Sequence, residues 1–100
     1  MKSVTFQKFD LKIHPHEPVF VIGVASDMVR IPIWTLRKLD ELGVVKPKRM
    51  NKKIRCYSAI QIKQLNYIQY LMDEKGVNIS GIKLILHMEV KRGTMGWLKL

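Results

Sequence analysis

The sequence has a single cysteine, Cys56, among its 100 residues. One thiol cannot build an intrachain disulfide framework, and such a low cysteine content is typical of a reducing compartment. The longest apolar run, residues 19–25, is much shorter than the roughly 20 residues that a membrane-spanning helix needs. The amino terminus also lacks the apolar core of a signal peptide. From these absences we expect a soluble, cytoplasmic protein without a membrane partner.

Acidic residues are scarce as well, with eight Asp and Glu against eighteen Lys and Arg. The acids are scattered, the three histidines have no evident nucleophile partner, and no phosphate-binding glycine loop is present. We therefore expect no enzyme activity and no catalytic residues. His14 and His16 have no third ligand and Cys56 has no neighbouring Cys or His, so we expect neither a metal site nor a cofactor. Cys56 is better interpreted as a packed strand residue.

Positive charge is abundant and unevenly placed. The formal net charge is +10, and the segment 46–55, KPKRMNKKIR, holds six of the eighteen Lys and Arg without an acid. Like charges crowded into one segment repel each other unless an anionic partner neutralises them. The segment therefore favours a polyanionic partner such as nucleic acid, and a solvated surface loop is the alternative.

Length and composition predict one domain with flanking segments. A chain of 100 residues with 47% hydrophobic content can form one small core. We expect an N-terminal arm over residues 1–18, because Pro15 and Pro18 interrupt a strand-like alternation there. The domain then extends over residues 19–92, and residues 93–100 form a C-terminal tail.

Apolar spacing predicts two short helices at the start of the domain. The pattern turns helical from Gly23, after a short lead-in over residues 19–22 that could be extended, and a second helical stripe covers residues 33–42. Pro32 is suited to the start of the second helix and Gly43 to its left-handed cap. Two short helices joined by a short turn are typical of a helix-turn-helix.

A hairpin and further helices are expected after the basic segment. Residues 54–57 alternate like a return strand, with residues 51–52 near the hairpin tip, since Asn tolerates left-handed backbone. Ser58 and Gln61 have capping-box spacing at the start of a helix that runs to about Lys75. The whole order predicts a mainly α fold with a small β-hairpin wing, which is a winged helix-turn-helix. The Lys and Arg of a wing neutralise DNA phosphates and release counterions.

Several motifs in this order resemble the DNA-binding domain of MerR-type transcription regulators. The matching pieces are Thr35-Leu36-Arg37, Asp40, Gly43-Val44, Pro47-Lys48-Arg49 and Arg55-Cys56-Tyr57-Ser58. The later run DEKGVNISGIKLIL resembles the heat-shock repressor (HspR-like) branch and is also similar to the glutamine-synthetase repressor branch. The resemblance covers residues 19 to about 90.

The resemblance implies which side chains contact DNA. Arg37 matches the recognition-helix arginine, and Arg55 and Tyr57 match wing residues that hold phosphates. Helix spacing and the basic wing add further candidates. The full set of expected DNA contacts is Trp34, Thr35, Arg37, Lys38, Lys46, Lys48, Arg49, Lys52, Lys53, Arg55 and Tyr57.

Alternative roles and departures from the family pattern concern a few of these positions. Thr35 could instead pack or cap the helix start, and Arg37 could pair with Glu41 on the surface. Lys38 begins the pair that replaces the aromatic pair of the family. Arg30 stands where the family has a turn glycine, so we expect that turn to be built differently or strained.

The last helix and the tail carry more apolar residues than one core stripe requires. Asn78 is placed to cap this helix. Excess apolar surface indicates a contact with a dimer partner or, as the heat-shock repressor resemblance implies, with a chaperone co-repressor. The expected contact residues are Leu84, Met88, Trp97, Leu98 and Leu100.

These observations predict a sequence-specific DNA-binding transcription regulator. We expect a repressor, of chaperone or heat-shock genes by resemblance, that binds an inverted repeat in double-stranded DNA as a homodimer. Two alternatives are an excisionase-like architectural DNA-binding protein and a protein-interaction adaptor whose basic charge is incidental.

Overall fold

The computed structural model of the protein describes residues 4–6 and 11–92, and within them the chain forms five strands and four helices. In chain order these are β1 (Val4–Phe6), β2 (Leu11–Ile13), β3 (Phe20–Val21), α1 (Ile22–Val29), α2 (Ile33–Glu41), β4 (Lys48–Met50), β5 (Ile54–Tyr57), α3 (Ala59–Asp73) and α4 (Ile79–Arg92). Strands β1 and β2 pair as an antiparallel hairpin. The fold class predicted from the sequence is confirmed. None of the described helices is long and apolar enough to cross a bilayer.

The turn between α1 and α2 is closed by a residue in left-handed backbone conformation. Arg30 has φ 59° and ψ 39°, and its N–H donates to the Ser26 carbonyl oxygen at 2.8 Å. The Ser26 hydroxyl donates to the Ile31 carbonyl oxygen at 2.6 Å, which holds the turn from the other side. Left-handed backbone costs an L-residue roughly 1–2 kcal/mol. The expected strain at Arg30 is therefore present.

Helix α2 begins at Ile33 and ends at Glu41, one residue before the end predicted from the sequence. Pro32 is its N-cap rather than its first residue, and its carbonyl oxygen accepts hydrogen bonds from the N–H groups of Thr35 and Leu36. After the helix, Gly43 has φ 75°, and its N–H donates to the Asp40 carbonyl oxygen at 2.9 Å. Glycine adopts this conformation without the steric cost that a side chain brings.

The wing strands β4 and β5 belong to a three-stranded antiparallel sheet in which β5 is the central strand. Strand β5 pairs with β4 on one side, in the register Met50↔Ile54, and with β3 on the other, in the register Phe20↔Tyr57. The tip residues Asn51 and Lys52 both have positive φ, as the sequence predicts for a tight turn. The segment directly before α1 forms β3 of this sheet and thus joins the wing to the helices.

Helix α3 starts with the predicted capping box and contributes the largest share of the core. The Ser58 N–H donates to Gln61 Oε1 at 3.0 Å, and the Gln61 N–H donates to Ser58 Oγ at 3.2 Å. The Asn78 side chain likewise accepts a hydrogen bond from the Gly81 N–H at the start of α4. The buried cluster draws on all four helices and β5, and consists of Ala25, Val29, Ile31, Leu36, Leu39, Val45, Tyr57, Ile62, Leu65, Ile68, Leu71 and Ile82.

Tyr57 of β5 belongs to this core and is fully covered, with 0% of its surface exposed. Its hydroxyl has no hydrogen-bond partner among the described residues. Burial, reinforced by the Asp40 carboxylate, raises the pKa of Tyr57 from 10.0 to about 12. The expectation that Tyr57 contacts a phosphate is therefore corrected, because a side chain enclosed by the core cannot reach one.

The buried Tyr57 predicts a loss of stability at alkaline pH. The unfolded chain loses this proton above about pH 10, whereas the folded chain keeps it until about pH 12. The Tyr57 hydroxyl therefore makes its whole contribution to the free energy of unfolding below pH 10. This contribution decreases as the pH rises towards 12. We expect Tyr57→Phe to lose less stability than the wild type over this range, by about 2 kcal/mol at its upper end, in urea unfolding followed by circular dichroism.

At pH 7 the Tyr57→Phe protein should be at least as stable as the wild type, because the hydroxyl leaves no hydrogen bond behind. Tyr70→Phe is the matched control, since that ring is exposed, and it should follow the wild-type profile. Equal losses of stability at alkaline pH in the wild type, Tyr57→Phe and Tyr70→Phe would refute the inference that Tyr57 causes the loss.

Candidate nucleic-acid interface

The carboxylate of Asp40 joins α2 to the wing. Asp40 lies in the last turn of α2, and its side chain is only 8% exposed. Its Oδ2 accepts hydrogen bonds from Arg55 Nε at 2.8 Å and from Arg49 Nη2 at 3.1 Å, and its Oδ1 lies 3.8 Å from Lys46 Nζ. The cations come from both strands of the wing and from the segment that leads into it. One buried acid thus holds the hairpin against the helix.

These contacts change the role of part of the basic segment. A buried carboxylate requires strong partners, and hydrogen bonds between charged groups are roughly twice as strong as neutral ones. Arg55 is only 17% exposed, and its Nε is occupied by Asp40, so this part of the guanidinium is not presented to DNA. Arg49 and Lys46 keep more exposure beside the same acid. The role of these three residues is therefore partly structural.

Asp40 is a site residue that the sequence indicated only as one piece of the family pattern. The available signal was an acid in the last turn of the predicted second helix, directly before a segment with six cations and no acid of its own. Which of those cations reach Asp40 depends on how the hairpin folds back, so spacing alone does not identify them.

The outward face of α2 presents the remaining helix candidates. Trp34 is 70% exposed, and Arg37 and Lys38 are exposed one turn further along. Glu41 pairs with Lys38 at 4.0 Å and not with Arg37, which has no ion pair within the described part of the chain. The guanidinium of Arg37 is therefore available to a ligand.

Thr35 does not belong to this face. It is buried, and its N–H donates to the Pro32 carbonyl oxygen at 3.0 Å. The expectation that Thr35 contacts DNA is corrected, because Thr35 lies on the buried face of α2 together with Leu36 and Leu39. Its burial agrees with the alternative given from the sequence, in which Thr35 packs at the helix start.

The outer surface of the wing carries three exposed lysines, Lys48, Lys52 and Lys53. None of them has an ion pair among the residues that the structure describes. Lys52 lies at the tip, in left-handed backbone with φ 64°. Together with Arg37, these lysines are cations of α2 and the wing that an anionic ligand can reach without breaking an ion pair.

A second exposed surface lies on α4. Leu84 is 60% exposed, Met88 is also exposed, and Ser80, Lys83 and His87 surround Leu84 at a shallow, mostly apolar depression. The other expected contact residues, in the tail, lie outside the described residues: Trp97, Leu98 and Leu100.

Cys56 is buried on β5, as the sequence predicts. Across residues 4–6 and 11–92, no group of three or more His, Cys, Asp or Glu could hold a metal ion. The candidate interface thus consists of the exposed cations of α2 and the wing, the exposed Trp34, and the buried Asp40 that holds the wing against α2.

Comparison with known proteins assigns the class. Residues 20–89 match the MerR HTH family regulatory proteins. A Streptomyces coelicolor protein named as a heat shock protein, HspR, is 42% identical over 72 residues, which are 72% of this chain and 48% of that protein. The HTH-type transcriptional regulators GlnR of Bacillus anthracis and Bacillus cereus are each 32% identical over 72 residues, which are 72% of this chain and 55% of theirs.

The chain therefore belongs to the MerR family of helix-turn-helix regulatory proteins. This confirms the family resemblance drawn from the sequence motifs. The chain spans about half the length of the relatives named above.

Replacing Asp40 with Asn should release the wing from α2. The amide keeps the size of the side chain but loses the charge that attracts two arginines and a lysine. We expect the free energy of unfolding to fall by about 2–3 kcal/mol, because hydrogen bonds to a charged group are lost in a buried place. Amide hydrogens of β4 and β5 should exchange faster, which hydrogen-exchange mass spectrometry measures.

Glu41→Gln is the matched control for this substitution. It removes the neighbouring acid of α2, whose pair with Lys38 is exposed on both sides. Such a surface pair contributes less than about 1 kcal/mol, so the control should keep the wing protected. Wild-type stability and wing exchange in the Asp40→Asn protein would show that the acid does not hold the wing.

Proposed function

We propose that this chain is the DNA-binding part of a sequence-specific transcription regulator. The observation that supports this best is the joint surface of α2 and the wing, which Asp40 holds in a fixed relation. Exposed cations lie on both elements of that surface, among them Arg37 on α2 and Lys52 at the wing tip. In a winged helix-turn-helix, the second helix enters the major groove while basic side chains bind phosphates.

The cations divide into two roles under this proposal. Arg37, exposed and unpaired among the described residues, is placed to contact base edges from α2, where Arg commonly binds guanine O6 and N7. Lys48, Lys52 and Lys53 bind backbone phosphates, which supply affinity without sequence information. The net charge of +10 supports the attraction to DNA over longer distances.

Repression of heat-shock or chaperone genes is the regulatory role that we propose. Its support is the 42% identity to a protein named as a heat shock protein, within the matched 72 residues. Occupancy of the operator would exclude the transcription machinery, and a chaperone would act as co-repressor. Such a regulator acts in the cytoplasm, on the nucleoid.

Pairing of two copies through α4 is the assembly that we propose. Leu84 and Met88 lie four residues apart on one face of α4, and both are exposed. A contiguous apolar helix face is typical of a protein contact. Two copies related by a two-fold axis match the two half-sites of an inverted repeat. A chaperone bound to the same face is the competing occupant.

The alternatives are supported less well. An excisionase-like protein would share the winged fold, but the family match is to regulatory proteins. An adaptor with incidental charge does not require exposed cations on both α2 and the wing. The same family match favours a binding protein over an enzyme.

Selection from random duplexes near physiological salt tests the proposed function. We expect an inverted repeat to be enriched, because two copies would each place α2 in a major groove. Arg37→Ala should lose about 1–3 kcal/mol of binding free energy and relax the sequence preference at one position of each half-site. Fluorescence anisotropy with the selected duplex measures this loss.

Lys52→Ala should instead weaken binding to all sequences about equally and reduce the slope of log K against log salt by about 1. Lys75→Ala, which removes an exposed lysine just after the end of α3, is the control and should leave that slope unchanged. Binding of the bulk pool without any enriched sequence would favour the architectural alternative. No measurable binding to duplexes at low salt would favour the adaptor.

Leu84→Glu should weaken self-association. A charge in the middle of an apolar contact is costly, so we expect the dimer dissociation constant to rise at least about tenfold in sedimentation equilibrium. Val24→Glu places the same charge at an exposed apolar position of α1 and should leave association unchanged. A wild-type chain that stays monomeric at all concentrations, with and without its operator, would exclude the α4 dimer.

A further inference from the structure

The amino-terminal end of α2 exposes two large apolar side chains. Ile33 and Trp34 are the first two residues of the helix, and both are exposed. Trp34, at 70%, is the most exposed large hydrophobic side chain among residues 13–89. Burial of such a ring normally contributes strongly to folding, so its exposure points to a partner that covers it.

The surroundings of this pair indicate an anionic partner. Arg37 and Lys38 follow one turn later on α2 and are exposed. The wing, with its exposed lysines, is held beside the same helix through Asp40. Because Ile33 and Trp34 lie beside these cations, the combined surface complements a polyanion that also has apolar groups.

The major groove of DNA offers one such group. Among the base edges there, the 5-methyl group of thymine is the apolar one, and apolar side chains recognise it by direct contact. The first residues of a recognition helix are those that reach base edges. Because Thr35 is buried, the α2 residues before Arg37 that can make this contact are Ile33 and Trp34.

We propose that Ile33 and Trp34 recognise thymine 5-methyl groups in each operator half-site. This inference rests on the proposed function and specifies the base chemistry that α2 reads. Arg37, one turn further along, contacts the adjacent base pair through hydrogen bonds. The preference of the protein for thymine thus comes from apolar contact, while the wing supplies affinity that does not depend on sequence.

Exchange of thymidine for 2′-deoxyuridine tests the contact of Ile33 and Trp34 with the methyl group, since it removes that group and leaves base pairing intact. The duplex recovered by selection is resynthesised with one such exchange at a time, and binding is measured by fluorescence anisotropy. We expect affinity to fall about three- to fivefold at one or two positions in each half-site, as expected for one buried methyl group. Trp34→Ala should bind the unmodified duplex roughly tenfold more weakly and lose its sensitivity to the exchange at those positions.

Lys52→Ala serves as the matched control. It should bind more weakly than the wild type but keep the full sensitivity to the methyl group, because Lys52 lies at the wing tip and not on α2. Circular dichroism and thermal unfolding of Trp34→Ala establish that this exposed position leaves the fold unchanged.

Three results would overturn the inference while leaving sequence-specific binding intact. They are a selected half-site without thymine, wild-type affinity for every uracil duplex, and unchanged methyl sensitivity in Trp34→Ala. Failure of the proposed function has a different signature: no sequence is enriched in the selection, and the inference then fails with it.

Discussion

The interaction on which the rest of this structure depends is the contact of one carboxylate, Asp40, with cations of the basic segment. A hairpin with so many like charges would move away from a helix that also carries positive charge. The buried Asp40 carboxylate attracts the hairpin to the helix, since it accepts hydrogen bonds from Arg55 at 2.8 Å and from Arg49 at 3.1 Å. It neutralises only part of the charge, so the surface that faces outward stays positive. The position of the wing relative to α2 depends on this contact.

The same acid separates the cations by function. Those that contact Asp40 have part of their hydrogen-bonding capacity used inside the protein, whereas Arg37 and the outer lysines of the wing keep theirs for a ligand. Binding strength and folding stability are therefore partly independent. A lysine at the wing tip can be lost without breaking an ion pair, while loss of Asp40 removes the contact between the wing and α2. A count of basic residues therefore overstates the number of cations without an internal contact.

Local preferences are violated at two places in or beside the helix-turn-helix. Arg30 occupies left-handed backbone that glycine would adopt more readily, and Trp34 leaves a large apolar ring in water. Each violation costs free energy that the folded chain must recover elsewhere, and such sites are commonly functional. The core beneath supplies the stability, through the buried face of α3 and the residues of α1 and α2 that pack on it. At Trp34 the cost is recovered on binding if thymine methyl groups cover the ring.

The order of the four helices and the wing could be predicted from the amino-acid sequence, because the signals for these elements are local. Helical spacing, the Ser58 and Gln61 capping box, the Gly43 cap and the tight turn at residues 51–52 depend only on neighbours along the chain. The sequence also identified the basic wing and the family. Tertiary structure alone decided which site residues face outward. Tyr57 and Thr35 were both expected to contact DNA but are buried, since strand pairing and helix packing turn them inward. Asp40 acquired its role in the same way: its partners are up to 15 residues distant, and only the folded hairpin brings them together.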